Sequence, residues 1–179
     1  MLLPSRSSWQ AACKVDRLLG DGDSIDLGGG VAVKAVFVPG HTEDSTCYFV
    51  RSDGALAGGE ALGDYRGRDH IYPCFGSSYK DYVSSLDKVS GLDVKVLGLP
   101  HSGALSGELA QKYLADLRVN ADKLRQGIRE RLDAGETVDE VFAVYLPEWK
   151  LQGISPEGPF VAAQEDSLRA AIRAVSAER

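Results

Sequence analysis

Three side chains in this sequence have the type and the position to hold a metal ion. His41 follows Pro39-Gly40 at the end of a nearly all-apolar run, and His101 follows Pro100 at the end of another. Glu60 comes directly after Ala57-Gly58-Gly59, at the end of a third. Residues just past strand ends stand on the rim of a sheet, where loops gather functional groups. Two imidazoles and a carboxylate from three loops suit zinc, with iron or manganese as alternatives that accept the same N/O donors. Spacing alone adds little, because ligands from separate loops have no fixed separation. The plainer alternative is a hydrogen-bonding loop histidine at each strand end and a solvated glutamate after two glycines.

Other combinations carry less. The remaining histidine, His70, lies four residues before Cys74, but nothing beside this pair supplies an oxyanion hole or an orienting third group. Gly28-Gly29-Gly30 lacks the Gly-x-Gly-x-x-Gly pattern before a helix and reads as a turn. Asp21, Asp23 and Asp26 lack the twelfth-position glutamate of an EF-hand and run into a strand.

The elements that must position these residues change in character along the chain. Ser24 to Leu27 and Val31 to Val38 flank the glycine turn as a hairpin. In the second of these only Lys34 is polar, which predicts cover on both faces. Ser45 to Arg51 and Ala55 to Gly58 read as two further strands joined by Ser52-Asp53-Gly54. Ser78-Tyr79-Lys80-Asp81 has capping-box spacing and opens a helix with Tyr82, Leu86 and Val89 on its apolar stripe, ended at Gly91. Asp93 to Leu99 is a strand stopped by Pro100. A long helix follows from about Ser106 to Ala134, with Leu109, Tyr113, Leu117, Ala121, Leu124, Ile128 and Leu132 on one stripe and Gly135 in the C′ position. Thr137 to Glu140 caps a short helix ending at Pro147, and a last amphipathic helix runs from Pro159 through Val161, Leu168, Ile172 and Val175. Residues 1–149 thus make one domain, and residues 150–179 a linker and helix that extend it.

The totals narrow the function classes. A net charge of −6 without a basic patch argues against nucleic acid. The N-terminal apolar run is too short for a signal peptide, and no segment approaches the ~18 apolar residues of a membrane span. Cys13, Cys47 and Cys74 are odd in number and contain no Cys-x-x-Cys, which suits a reducing cytoplasm.

Taken in order, Val-Pro-Gly-His-Thr-Glu-Asp-Ser-Thr (Val38 to Thr46), Ala-Leu-Ala-Gly-Gly-Glu-Ala-Leu-Gly (Ala55 to Gly63) and Leu-Pro-His-Ser-Gly (Leu99 to Gly103) before a long helix resemble the metallo-β-lactamase superfamily. The resemblance runs from about Val15 to Leu146. It implies an α+β fold: part of a four-layer αββα sandwich, a mixed β-sheet with helices on its outer face. It also implies a metal-dependent hydrolase acting on a small molecule, with His41 on one metal, His101 on a second and Glu60 bridging them. His70 falls where such folds line the substrate pocket.

Two departures from the family pattern have consequences. Glu60 stands where Asp is the commoner bridge. The family's His-x-His-x-Asp-His stretch, which supplies four further ligands, has no counterpart, since no histidine precedes position 41. The chain therefore reads as the C-terminal part of the domain, holding metal weakly by itself. The alternative is a non-catalytic half-domain, truncated, that acts as a dimerising or binding module. Either way the inner face of its sheet calls for cover, from a second copy in a homodimer or from a separate N-terminal half.

Overall fold

The computed structural model describes residues 15–67, 70–149 and 159–178. Cys13 and the expected linker at 150–158 lie outside the described residues. Six strands form one mixed sheet: β1 (Ser24–Gly28), β2 (Val31–Phe37), β3 (Thr46–Val50), β4 (Ala55–Ala57), β7 (Val96–Leu99) and β8 (Gly103–Ser106), in the order β1-β2-β3-β4-β7-β8. Two short strands, β5 (Asp64–Tyr65) and β6 (Ile71–Tyr72), pair separately. Within the main sheet only β4 and β7 are parallel.

Four helices follow. Helix α1 (Tyr79–Ser90) is capped as expected, the Ser78 hydroxyl accepting the Asp81 N–H at 3.1 Å. Helix α2 (Glu108–Asp133) closes on a Schellman motif: Glu136 N–H bonds the Arg131 carbonyl and Gly135 N–H that of Leu132. Helix α3 (Val138–Trp149) starts on a full capping box, with Thr137 and Glu140 each accepting the other's backbone N–H. Helix α4 (Pro159–Ser176) packs on α2 and α3.

The structure corrects several sequence expectations. Leu109 is 56 % exposed, facing a hollow of about 420 Å³, because the buried stripe of α2 enters through Ala110, Tyr113 and Leu114 instead. Helix α3 runs two residues past Pro147: the missing N–H removes one bond in the last turn, where little helix is left to break. The strand before Pro100 is shorter than expected, because Lys95 and Val96 N–H are turned onto the Gly54 carbonyl. Strand β8 replaces an expected loop.

Register partners share a face, and the two faces differ sharply. Phe49, Leu56 and Leu97 pair in line, with Val36 opposite Cys47, and all five are buried. On the opposite face lie Ala35, Tyr48, Ala57, Gly98 and Ala104 in line, with Val33, Val50 and Val96 in the next row. There Phe37, Tyr48 and Val96 are 36, 45 and 39 % exposed. On that face of β2 Ala35 is buried but Phe37 is not covered by the described residues. The core is single-sided among the described residues: helices pack on one face of a mixed sheet. No described helix is long and apolar enough to cross a membrane.

Candidate metal centre

Sheet topology brings the three sequence-marked residues together. Strand β2 is antiparallel to β3, β3 to β4, and β4 is parallel to β7, so β2, β4 and β7 all run the same way. Their C-terminal ends share one edge, and His41, Glu60 and His101 sit just beyond those ends. Each is held differently. Glu60 opens a single 3₁₀ turn, Glu60–Leu62, whose Leu62 carbonyl accepts the buried Tyr113 hydroxyl at 2.7 Å. His101 is the middle residue of a three-residue connection between Leu99 and Gly103, and its φ of 62° is the only positive value of a non-glycine residue among those described. Non-glycine residues enter that region mainly in tight turns or under functional constraint.

The loop carrying His41 is clamped onto the start of α1. The Gly40 carbonyl accepts the N–H groups of Gly76, Ser77 and Ser78, and Ser85 donates to the Pro39 carbonyl at 2.8 Å. Gly40 has φ 128°, and a Cβ there would lie 2.3 Å from the Tyr82 Cα, so glycine is required on both counts. Thr42 Oγ1 bonds Asp44 at 2.7 Å and Ser45 at 2.8 Å, closing the loop on its outer side.

The imidazoles converge on one carboxylate. His41 Nε2 lies 3.0 Å from Glu60 Oε2, and His101 Nε2 lies 3.3 Å from Glu60 Oε1. His41 Nδ1 donates to the Cys74 carbonyl at 2.9 Å. A carbonyl only accepts, so Nδ1 carries the hydrogen and Nε2 of the neutral ring presents a lone pair to Glu60. Two lone pairs 3.0 Å apart need a proton or a cation between them. Fixing the outer ring nitrogen on a backbone carbonyl is how metal-binding histidines are commonly oriented. Imidazole nitrogen and carboxylate oxygen are donor types that a divalent cation accepts. The arrangement is nonetheless one imidazole per carboxylate oxygen, and among the described residues no group of three or more His, Cys, Asp or Glu side chains is disposed around a single ion.

A cavity of about 770 Å³ opens in front of these residues. Its wall includes Asp64, Arg66, Tyr72 and Cys74 from the β5–β6 region and Gln164 and Ser167 from α4. Arg66 is ion-paired to Asp64 at 2.7 Å and sits over the Tyr72 ring at 4.4 Å. His70 is not part of that lining; its ring stacks near Tyr72 instead. Burial pushes the Cys74 thiol up to about 12, which keeps it protonated and unreactive. The α4 contributors carried no signal in the sequence, where that helix reads only as an apolar stripe.

No family model matches the chain. Over 84 residues it is 37 % identical to the lactamase-like protein nscB of Neosartorya fischeri, covering 46 % of this chain and 23 % of that protein. Over 86 residues it is 38 % identical to the uncharacterized protein ML0493 of Mycobacterium leprae, covering 46 % of this chain and 38 % of that one. Among solved structures, the metallo-β-lactamase family protein TTHA1429 from Thermus thermophilus superposes with a TM-score of 0.67 at 17 % identity, over 98 % of this chain and 55 % of the other. This chain has the metallo-β-lactamase superfamily fold. The superfamily protein ST1585 from Sulfolobus tokodaii agrees, with a TM-score of 0.51 at 17 % identity over 96 % of this chain and 59 % of that one. The chain thus spans just over half the length of these metallo-β-lactamase-type structures, and its sequence matches cover still less of the curated relatives.

Proposed function

We propose that this chain supplies one part of a dinuclear metal site in a metal-dependent hydrolase. His41 would hold one ion and His101 a second, with the Glu60 carboxylate available to both. The observation that carries this reading is the pairing of each imidazole with a different oxygen of the Glu60 carboxylate, at 3.0 and 3.3 Å. Zinc is the first candidate, with iron or manganese as alternatives of similar donor preference. When bound, such an ion supplies the Lewis acidity that lets water cleave an ester-like bond near neutral pH. The chain's own residues orient it: the Cys74 carbonyl sets the His41 ring and the Tyr113 hydroxyl steadies the turn carrying Glu60.

A catalytic zinc takes three protein ligands and one open position. One histidine per ion with a shared carboxylate falls short among the described residues, so further ligands come from beyond them, in this chain or another. The exposed face of Phe37, Tyr48 and Val96 supports the same conclusion, because it is the face on which the other half of the sandwich, or a second copy of this chain, would lie. Two free, buried thiols suit a reducing compartment, and on that basis we assign the chain to the cytoplasm. The lack of any three-ligand group among the described residues favours a second reading, a non-catalytic module that dimerises through this face.

Metal analysis of the purified 179-residue protein, run beside light scattering, separates the two. Near-stoichiometric zinc, iron or manganese, lost in His41→Ala and reduced in Glu60→Gln, supports the metal site. A stable metal-free dimer, broken by Tyr48→Asp but indifferent to His41→Ala, supports the second reading.

A further inference from the structure

The two edges of the main sheet are finished differently. Strand β1 carries a bulge between Asp26 and Gly28, and the Asp26 carboxylate takes up the Gly28 N–H at 2.8 Å. Bulges and charged side chains are common means of keeping a sheet edge from pairing with another chain. Strand β8, at the opposite edge, has neither. Gly103-Ala104-Leu105-Ser106 is uncharged, pairs with β7 in unbroken register and is largely exposed.

One bond sets the hydrogen-bond parity of β8. Gly107 N–H donates to the Lys95 carbonyl at 2.9 Å, continuing by one residue the register that pairs Ser106 with Val96. Antiparallel ladders alternate, so Gly103 and Leu105 turn their backbone groups toward β7, and Ala104 and Ser106 turn theirs outward. An antiparallel copy of β8 centred on Leu105 meets that pattern. Ala104 of one copy then exchanges both backbone bonds with Ser106 of the other. Leu105 lies opposite its own counterpart, with Cβ atoms about 4.5–5.5 Å apart.

The side chains at this edge suit the same partner. Leu105 lies in register with buried Leu97 and lines the hollow of about 420 Å³, together with Tyr65, Ile71, Leu109 and Tyr113. Leu109 belongs to the apolar stripe of α2 by spacing, yet it is 56 % exposed. A partner seated along β8 covers it. The charged groups of this lining are Lys112 and Asp116, paired with each other at 2.5 Å. The patch therefore presents no excess of either sign to a copy of itself, although the whole chain carries −6. A contact across a two-fold axis needs that self-complementarity. A strand of 4 residues holds a partner weakly through backbone alone, and burial of Leu105 and Leu109 supplies the rest.

We propose that β8 is a homodimer edge: two copies of this chain pair their β8 strands antiparallel about Leu105 and bury Leu109 at the junction. The contact is made by the edge of the sheet, not by the exposed face of Phe37, Tyr48 and Val96, and it is independent of any metal at His41, Glu60 and His101.

The test is sedimentation of the full chain over a concentration series with a chelator present, which should show a monomer–dimer equilibrium. Ala104→Pro removes an outward N–H and leaves the bonds to β7 in place, so it should weaken dimerisation about tenfold or more. Leu109→Lys changes an exposed helix position and should weaken it as much, with the circular dichroism of the dilute protein unchanged. Tyr48→Asp, on the sheet face, should leave the dimer within about twofold of the parent. Amide exchange followed by NMR locates the contact: Ala104 and Ser106 should slow as protein concentration rises. A monomer throughout the series would overturn the proposal, as would fast exchange at Ala104 and Ser106 in the dimer. A dimer lost in Tyr48→Asp and kept in Leu109→Lys would place the contact on the sheet face and overturn it too. Should Ala104→Pro fail to fold, Leu109→Lys and the exchange measurement decide.

Discussion

Gly40→Ala should be among the most damaging single substitutions in this chain. The new methyl would lie 2.3 Å from Tyr82 Cα, 2.4 Å from its nitrogen and 2.6 Å from its Cβ. Carbon atoms sit comfortably about 3.5–4.0 Å apart, so loop and helix must separate by roughly 1 Å or more. The φ of 128° adds backbone strain of about 1–3 kcal/mol for a residue with a side chain. Moving the loop also loosens the Gly40 carbonyl from Gly76 at 2.9 Å, Ser77 at 3.0 Å and Ser78 at 3.3 Å. One oxygen has two lone pairs, so these bonds together contribute about 1–3 kcal/mol. The sum, about 2–6 kcal/mol, is a large share of the roughly 5–15 kcal/mol of a whole domain. Gly59→Ala is the matched control: it adjoins Glu60, has φ −109°, and a Cβ there meets nothing within 4 Å. Urea unfolding followed by circular dichroism measures both, and hydrogen exchange at Gly76 to Ser78 locates the damage. A Gly40→Ala protein within about 1 kcal/mol of the parent, or no worse than Gly59→Ala, would refute the close-approach argument.

Three further outcomes follow from side-chain environments. Tyr113→Phe should cost about 1–3 kcal/mol by urea unfolding, because it leaves the Leu62 carbonyl without its buried partner; an unchanged midpoint would show that water replaces the hydroxyl. The Lys88 ammonium, 2.7 Å from Asp21, and the Phe37 N–H hold the Asp21 carboxyl below its usual range. A depressed folded value stabilises above the unfolded value of about 3.9 and is lost as pH falls through the folded one. Lys88→Met should therefore raise the Asp21 midpoint in a carboxyl NMR titration and flatten the acid limb of the stability curve, by less than about 1 kcal/mol for so exposed a pair. Burial pushes Cys47 up to about 11 and Cys74 up to about 12, so in a Cys13→Ser variant neither should react with a disulfide reagent at pH 8 until the protein unfolds; rapid modification of the folded protein would contradict their burial.

Where the fold was legible, local rules and the tertiary structure pointed the same way. The Gly28-Gly29-Gly30 turn, the Ser78 cap, the Thr137–Glu140 capping box and the Gly135 helix stop each depend on neighbours within a few residues, and all formed as read. The errors lie where a long-range partner decides. Strand β8 is short and half glycine and alanine at its start; only its pairing with β7 makes it a strand. Strand β7 starts only at Val96, with the Lys95 N–H turned onto the carbonyl of Gly54, some forty residues earlier. The exposed face of β2 poses a related question. A nearly all-apolar strand predicts cover on both faces, but sequence does not say whether that cover belongs to the same chain.

The same distinction governs the site. His41, Glu60 and His101 could be picked out singly as strand-end residues, but their meeting depends on β2, β4 and β7 running in one direction, a property of strand order. What no pattern could convey is the second layer of constraint. The carbonyl of Cys74 orients His41 through its backbone, so it would do so with almost any side chain at position 74. Gln164, 8 % exposed and with its amide nitrogen unpaired among the described residues, interrupts the apolar stripe of α4 by a single polar residue, indistinguishable in sequence from a solvated helix position. It becomes informative only once burial is known, because the cost of an unpaired amide depends on water being excluded from it. Candidates marked by type and spacing can be read from sequence; a buried, unsatisfied group is visible only in the fold.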